Sequence, residues 1–187
     1  MSVTGASPHT DGIIEVKLRE LGQLFNSLDP TPFPEKDLDA DAEEFIVSWA
    51  MEIPKNMPLT LRVHLATQPV IEDATATIEH AVHTYFDHRA QMMRFKLRQL
   101  LTRGRWSLLI GILFLAACLG AADLIYTIFG EAAIFKIIKE SLVIGGWVAM
   151  WRPMEIFLYD WWPLRHEKRI FTRLITARID VVVAKPA

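Results

Sequence analysis

An uncharged apolar run at residues 106–122, "WSLLIGILFLAACLGAA", constrains this chain more than any other feature. Interrupted only by Asp123, the apolar segment continues to residue 129 and reaches about 24 residues, whereas about 20 are needed to cross a bilayer as a helix. A buried soluble helix that is apolar on every side needs a larger protein around it than this chain provides. The run therefore predicts a first transmembrane helix over residues 106–129.

A second apolar segment follows, and the sequence allows two sets of limits for it. A helix over residues 132–151 would place three charged residues in the outer leaflet, whereas a helix over residues 141–162 would place Arg152 and Glu155 within the membrane. The aromatic residues at the end of the second option favour it, because such residues gather at the membrane interface. The prediction is a second transmembrane helix at 141–162, after a short periplasmic loop at 130–140.

Charge is distributed unevenly along the chain, although the net charge is only -2. Residues 1–88 carry fifteen Asp or Glu and five Lys or Arg, whereas residues 89–105 carry six Lys or Arg and no acid. Basic residues that flank a transmembrane helix mark its cytosolic end, so both termini are predicted to be cytosolic. Because the basic segment adjoins an apolar run, we expect a lipid bilayer as the partner and no nucleic acid.

Outside the apolar segments, the sequence predicts an α+β fold with a small three-stranded sheet in the cytosol. Apolar and polar residues alternate in "IIEVKLREL", "PLTLRVHLA" and "RIDVVVA", which is typical of half-buried strands. Asp39 or Asp41 is the expected N-cap of a helix between the first two strands, and the third strand is expected to join their sheet. The predicted parts are a disordered tail (1–12), a sheet and helix domain (13–70), and a C-terminal helix and strand (163–187).

The segment between the sheet and the first span predicts a long stalk helix over residues 71–105, because it contains no proline and only one glycine. His80, His83 and Asp87 on this helix could present two imidazoles and a carboxylate to zinc or iron. No further ligand or supporting partner can be identified for them, so they are weak candidates and no metal or other cofactor is predicted. The single Cys118 lies in the apolar run and allows no Cys-based zinc site.

No motif of a catalytic site occurs: the sequence lacks a glycine-rich phosphate loop, GxSxG, HExxH and CxxC. A protein without enzymatic activity is therefore predicted. Arg152 and Glu155 stand three residues apart on one helical face and can form an intramembrane charge pair, and Pro153 between them predicts a kink just before it. In an oligomer, Glu155 and Asp160 could instead line a cation path, and Asp123 is a further candidate for a pore or an interface.

Pairs of small residues four apart occur in both predicted spans, and such pairs let helices approach closely in lipid. They suit either packing of the two spans against each other or self-association. The pairs are Ala116 with Gly120, Ala117 with Ala121, and Gly145 with Ala149.

The segments "FNSLDPTPF", "LLTRGRWSLLIGILFL" and "GGWVAMWRPMEIFLYDWWPLRHEKR" resemble a family of small bacterial inner-membrane proteins with no known activity. The resemblance covers most of the chain and implies a bacterial inner-membrane location. The leading functional hypothesis is a non-enzymatic membrane scaffold or accessory subunit that self-associates or joins a membrane complex. The alternative is a small oligomeric ion channel that uses Glu155 and Asp160.

Overall fold

The computed structural model describes residues 12–28, 30–31, 36–69, 73–130 and 132–183. The predicted disordered tail lies outside these residues apart from Gly12. The described chain is mostly helical, with one three-stranded parallel sheet and one long apolar helix. It forms two compact units: unit 1 contains Met1–Met93 and His166–Ala187, and unit 2 contains Arg94–Arg165.

The sheet of unit 1 is formed by β1 (Ile13–Leu18), β2 (Thr60–Leu65) and β3 (Arg178–Val183), with β2 in the centre. All pairings are parallel, and Val63 of β2 stands between Val16 and Val181. The three strands that the alternating pattern predicts are confirmed, including the C-terminal strand that joins the other two. Parallel neighbours need long crossover connections, and the connection from β2 to β3 contains the whole of unit 2.

Between β1 and β2 the chain forms a short 3-10 helix, Leu21–Leu24, and α1, Ala40–Glu52. Asp39 is the N-cap of α1, and its carboxylate accepts a hydrogen bond from the backbone N–H of Asp41 at 3.1 Å. This bond satisfies one of the backbone donors that a helix start leaves free.

The core of unit 1 lies between one face of the sheet and the helices that cover it. The strands contribute their alternate apolar side chains, and α1 and the flanking parts of two longer helices contribute the facing side. Among the largest buried side chains in this core are Ile14, Leu61, Ile46, Ile78, Val82, Phe86, Phe171 and Leu174.

Helix α2 is continuous over Ala74–Phe129, a length of 56 residues. It begins just beyond residues 70–72, which lie outside the described chain, and it contributes residues to both units. The predicted stalk therefore continues into the apolar run without a break. Continuity is expected physically, because residues 74–129 contain no proline that would remove a backbone donor.

The helices after α2 differ in their limits from the predicted second span. Helix α3 (Ala133–Ala149) begins well before residue 141, so much of the segment predicted to be a loop at 130–140 is helical. Gly130, with a φ of +71°, provides the tight turn that allows the next helix to start at once. The helix breaks at Met150, where Pro153 cannot supply the backbone donor of a regular helix, as predicted for the kink.

After the break come α4 (Trp151–Glu155), a π-helical turn (Ile156–Asp160) and α5 (Trp161–Leu174). A π-turn inserts one extra residue per turn and often marks a functional segment.

Candidate functional site

A line of close contacts, here called the seam, runs along α2 in unit 2. A Cβ atom added to Gly146 of α3 would lie 2.8 Å from Leu115 Cδ1 and 3.2 Å from Cys118 Cβ. The same atom added to Gly104 would lie 2.8 Å from Ile156 Cγ2. These glycines are therefore needed for α2 to approach α3 and the π-turn closely.

A third contact fixes the order of the seam. A Cβ atom on Gly111 would lie 3.1 Å from Met150 Sδ and 3.3 Å from the carbonyl oxygen of Ala149. Gly104 of α2 contacts the π-turn, Gly111 contacts the end of α3, and Leu115 contacts Gly146, which comes earlier still in the chain. The two segments thus run antiparallel along the seam.

The small residues predicted to pack the helices largely face elsewhere. No atom lies within 4 Å of a Cβ built on Gly120 or Gly145, and Ala116 is exposed. Of Ala116, Gly120, Gly145 and Ala149, it is Ala149 that contacts the seam, because its carbonyl oxygen lies next to Gly111. The spacing of seven between Gly104, Gly111 and Cys118 is the sequence signal that would have identified the seam.

Arg152, Glu155 and Asp160 form a group on the surface of unit 2, here called the charged cluster. Arg152 Nη1 lies 2.8 Å from Glu155 Oε2 and 3.6 Å from Asp160 Oδ2. The π-turn between the two carboxylates brings the second one back to the same guanidinium. Arg152 is exposed, with 60% of its side chain accessible, and the two carboxylates are partly exposed, so the contribution of the cluster to stability is small.

The charged cluster is relevant to the channel hypothesis and to the position of the predicted second span along α2. Both carboxylates that were predicted to line a cation path share one cation, which offsets half of their charge. Because Ile156 meets Gly104, the cluster lies level with the start of the apolar run of α2 rather than beside its middle.

Contacts at the other end of the apolar run also pair α2 with α3. The Phe129 and Phe135 rings stack at 4.6 Å between centroids, and the Lys139 ammonium lies 4.2 Å from the centre of the Tyr126 ring. Asp123 is exposed near this end, and its backbone carbonyl accepts a hydrogen bond from Thr127 Oγ1.

The three weak metal candidates of the stalk do not form a site. His83 Nε2 lies 2.8 Å from the carbonyl oxygen of Ala177, which makes it a structural contact between α2 and the segment before β3. His80 is exposed, and exposed Asp87 accepts a hydrogen bond from Gln91 Nε2. Within the described residues, no three His, Cys, Asp or Glu side chains are arranged to hold a metal ion.

A hydrogen-bonded network around Glu43 joins α1 to α2 in unit 1 and was not predicted. Tyr85 Oη donates to Glu43 Oε2 at 2.6 Å, and Arg89 Nε donates to Glu43 Oε1 at 2.6 Å. The Arg89 guanidinium also lies 5.8 Å from the centre of the Phe171 ring. The spacing of four between Tyr85 and Arg89 was a usable signal of a shared helix face, but it gave no information about Glu43.

The Glu43 network shifts both of its titrating partners. Burial, the hydrogen bond to Glu43 and the charge of Glu43 together raise the pKa of Tyr85 well above its ordinary value near 10. Burial by itself lowers the pKa of Arg89, but the hydrogen bond to Glu43 and the nearby negative groups outweigh it and raise the pKa. Tyr85 therefore stays protonated and Arg89 stays charged at neutral pH.

The raised pKa of Tyr85 predicts a pH dependence of stability. Above pH 10 the unfolded chain releases the tyrosine proton while the folded chain retains it, so the stability that Tyr85 contributes is present below pH 10 and is lost as the pH rises. The difference in unfolding free energy between the wild type and Tyr85→Phe should shrink by at most about 1.4 kcal/mol per pH unit, and by less because the side chain is partly exposed. Denaturant titrations between pH 8 and about 11 measure it. A difference that stays constant with pH would contradict the shift.

Arg173 of α5 binds the segment that follows α1. Its guanidinium donates to four backbone carbonyls at 3.0 to 3.3 Å. Two of these carbonyls belong to the last turn of α1 and the residue after it, where helix carbonyls have no intrahelical partner. The acceptors are Ala50, Ile53, Pro54 and Met57.

Comparisons with protein families, with curated proteins and with solved structures found no match to this chain. The resemblance carried by the sequence motifs therefore stays a prediction.

Proposed function

We propose that this chain is a two-span integral protein of a bacterial inner membrane and acts as a non-enzymatic scaffold or accessory subunit. Support for the membrane begins with α2, which is long and apolar enough to cross a bilayer. Only 17% of its most apolar 18-residue stretch is buried, and large apolar side chains are exposed along both α2 and α3. Soluble monomers rarely expose such a continuous apolar surface, because its hydration is unfavourable.

The observation that supports two membrane crossings rather than one is that the sheet contains strands from both sides of the apolar helices in the chain. β1 and β2 precede α2 in the chain, β3 follows α5, and all three pair in one sheet. Both ends must then lie on one side of any membrane that the intervening residues cross. If α2 crosses the bilayer, the chain has to cross back before β3. The antiparallel seam supplies the return path in α3.

The contacts along the seam support new limits for the second span. About 20 helical residues cover the 30 Å hydrocarbon core, so α2 would enter near Trp106 and leave near Tyr126. Tyr126 meets Lys139, and Gly104 meets Ile156, so the second span would cover about 139–155. This range lies between the two alternatives that the sequence allows: it begins near the start of the later one and ends near the end of the earlier one. The charged cluster would then lie at the cytosolic interface, where charges are tolerated.

The scaffold assignment rests on the surfaces that the seam leaves uncovered. Gly120 and Gly145 are surrounded by open space on the lipid-facing sides of α2 and α3. Small residues in such positions allow another helix to approach closely, either from a second copy or from a membrane-complex partner. Unit 1 would be presented in the cytosol, in agreement with the basic residues before the first span.

Cysteine accessibility tests the proposed topology. In a Cys118→Ala background, a cysteine at Ala132 should react with a membrane-impermeant maleimide added to intact spheroplasts, because this residue lies in the turn between α2 and α3. Ala132 is preferable to Gly130, whose positive φ disfavours other residues. A cysteine at exposed Lys17 in β1 should react only after the membrane is permeabilised. Labelling of Lys17→Cys from outside, or protection of Ala132→Cys, would contradict the topology.

A further inference from the structure

We infer that three arginines at the start of the apolar run, Arg98, Arg103 and Arg105, bind the phosphate groups of anionic phospholipids in the cytosolic leaflet. The name collar is used for these three residues. This inference rests on the proposed membrane topology and adds a class of ligand to it.

The collar residues are exposed cations that have no acidic partner in the part of the chain that the structure describes. All three side chains are exposed, and none contacts a carboxylate among the residues that the structure describes. Two arginines of unit 1, in contrast, have acidic partners: Arg62 contacts Glu15, and Arg89 contacts Glu43. The collar thus retains its full hydrogen-bonding capacity for an external anion.

The position of the collar along α2 indicates which ligand it can reach. At 1.5 Å per residue, Arg105 and Arg103 lie within about 5 Å of Trp106, where the apolar run begins, and Arg98 lies about 12 Å from it. The headgroup layer adds roughly 5–8 Å on each side of the hydrocarbon core. Arg103 and Arg105 therefore fall inside the phosphate layer, and the long side chain of Arg98 extends towards it.

The chemistry of the collar also fits a phosphate. A guanidinium donates two parallel hydrogen bonds to phosphate oxygens, which an ammonium group cannot do in a fixed geometry. Each basic residue close to an anionic membrane surface adds attraction equivalent to roughly a fivefold change in affinity. Zwitterionic lipids carry the same phosphate but no net charge, so the collar should distinguish phosphatidylglycerol from phosphatidylcholine.

The helix itself provides a matched control. Arg94 and Lys96 are also exposed on α2 and also lack an acidic partner in the described chain, but they lie about 15–18 Å from Trp106. Beyond the 5–8 Å headgroup layer they lie about 7–13 Å from the phosphates, which is comparable to the screening length of about 8 Å at physiological salt, so their attraction to the lipid should be weaker than that of Arg103 and Arg105. A double substitution there removes the same charge as a double substitution in the collar.

The test uses the full-length protein reconstituted in phosphatidylcholine vesicles with a trace of spin-labelled phosphatidylglycerol or spin-labelled phosphatidylcholine. The fraction of immobilised label gives the preference for the anionic lipid. For Arg103→Gln with Arg105→Gln the preference should fall about tenfold or more, whereas for Arg94→Gln with Lys96→Gln it should change less than about twofold. Arg103→Lys with Arg105→Lys, which keeps the charge, should retain most of the preference.

Two outcomes would overturn the inference. A wild type without preference for the anionic lipid, or two double variants with equal losses, would show that the collar is not the binding site. Vesicle flotation distinguishes failure of this inference from failure of the proposed membrane topology. A protein that floats with neither type of vesicle is not an integral membrane protein. Labelling of a cysteine at Ala132 in each variant verifies that the lost charges have not changed the topology.

Discussion

Replacing Gly146 with leucine should separate α3 from α2 and lower the unfolding free energy by about 1–3 kcal/mol. A Cβ atom at this position would already lie 2.8 Å from Leu115 Cδ1 and 3.4 Å from Leu115 Cα, and the backbone atom cannot move aside without moving the helix. Reversible unfolding in mixed micelles, followed by tryptophan fluorescence, measures the loss.

The neighbouring glycine provides the control. Gly145→Leu introduces the same side chain one residue earlier, where no atom lies within 4 Å of the new Cβ. Its unfolding free energy should stay the same or rise by up to about 1 kcal/mol, because leucine favours a helix more than glycine does. If Gly145 faces another subunit, Gly145→Leu should reduce oligomer formation without reducing stability. Equal destabilisation by the two substitutions would contradict the seam.

Removing the Arg173 side chain should lower the stability of unit 1 by about 2–4 kcal/mol. Arg173→Ala deletes the shared donor of four carbonyls, and the carbonyls that remain shielded from water lose their partner. Guanidinium titration and the rate of proteolysis within unit 1 measure the effect. Arg173→Lys should be intermediate, because an ammonium on a flexible stem cannot reproduce the planar fork of donors.

Arg169 is the matched control for this prediction. It lies one turn earlier on α5, carries the same charge and is exposed. Arg169→Ala should change the stability of unit 1 by less than about 0.5 kcal/mol, as is usual for surface positions. A loss as large as that of Arg173→Ala would assign the effect to charge and not to the four hydrogen bonds.

Local patterns were sufficient to predict the strands and the long helix. The alternation in residues 13–18, 60–65 and 178–183 reports a half-buried strand directly, because strand side chains point to opposite faces in turn. The absence of proline made α2 predictable as one helix. The cap at Asp39 followed from its position before an apolar periodic segment.

Features that depend on distant residues were not predictable in the same way. The early start of α3 at Ala133 follows from the turn at Gly130, whereas the aromatic residues near 159–162 favoured a predicted helix that starts at residue 141. Tyr159 lies within a π-turn and Trp161 and Trp162 follow it, and such a turn has no sequence signature of its own. The bonds from Glu43 and Arg173 join segments more than forty residues apart, so no local pattern indicates them.

The order of the strands in the chain also delays completion of the sheet during synthesis. Roughly 110 residues separate the end of β2 from the start of β3, which at 5–20 residues per second delays completion by about 6–20 s. During that interval one edge of β2 has no strand beside it, and an unpaired edge is a site for aggregation. The ribosome must finish both apolar helices before it delivers β3. Under the proposed topology, a molecule whose second helix fails to insert would keep β3 on the wrong side of the bilayer, so an unfinished sheet would mark failed insertion for proteases to remove.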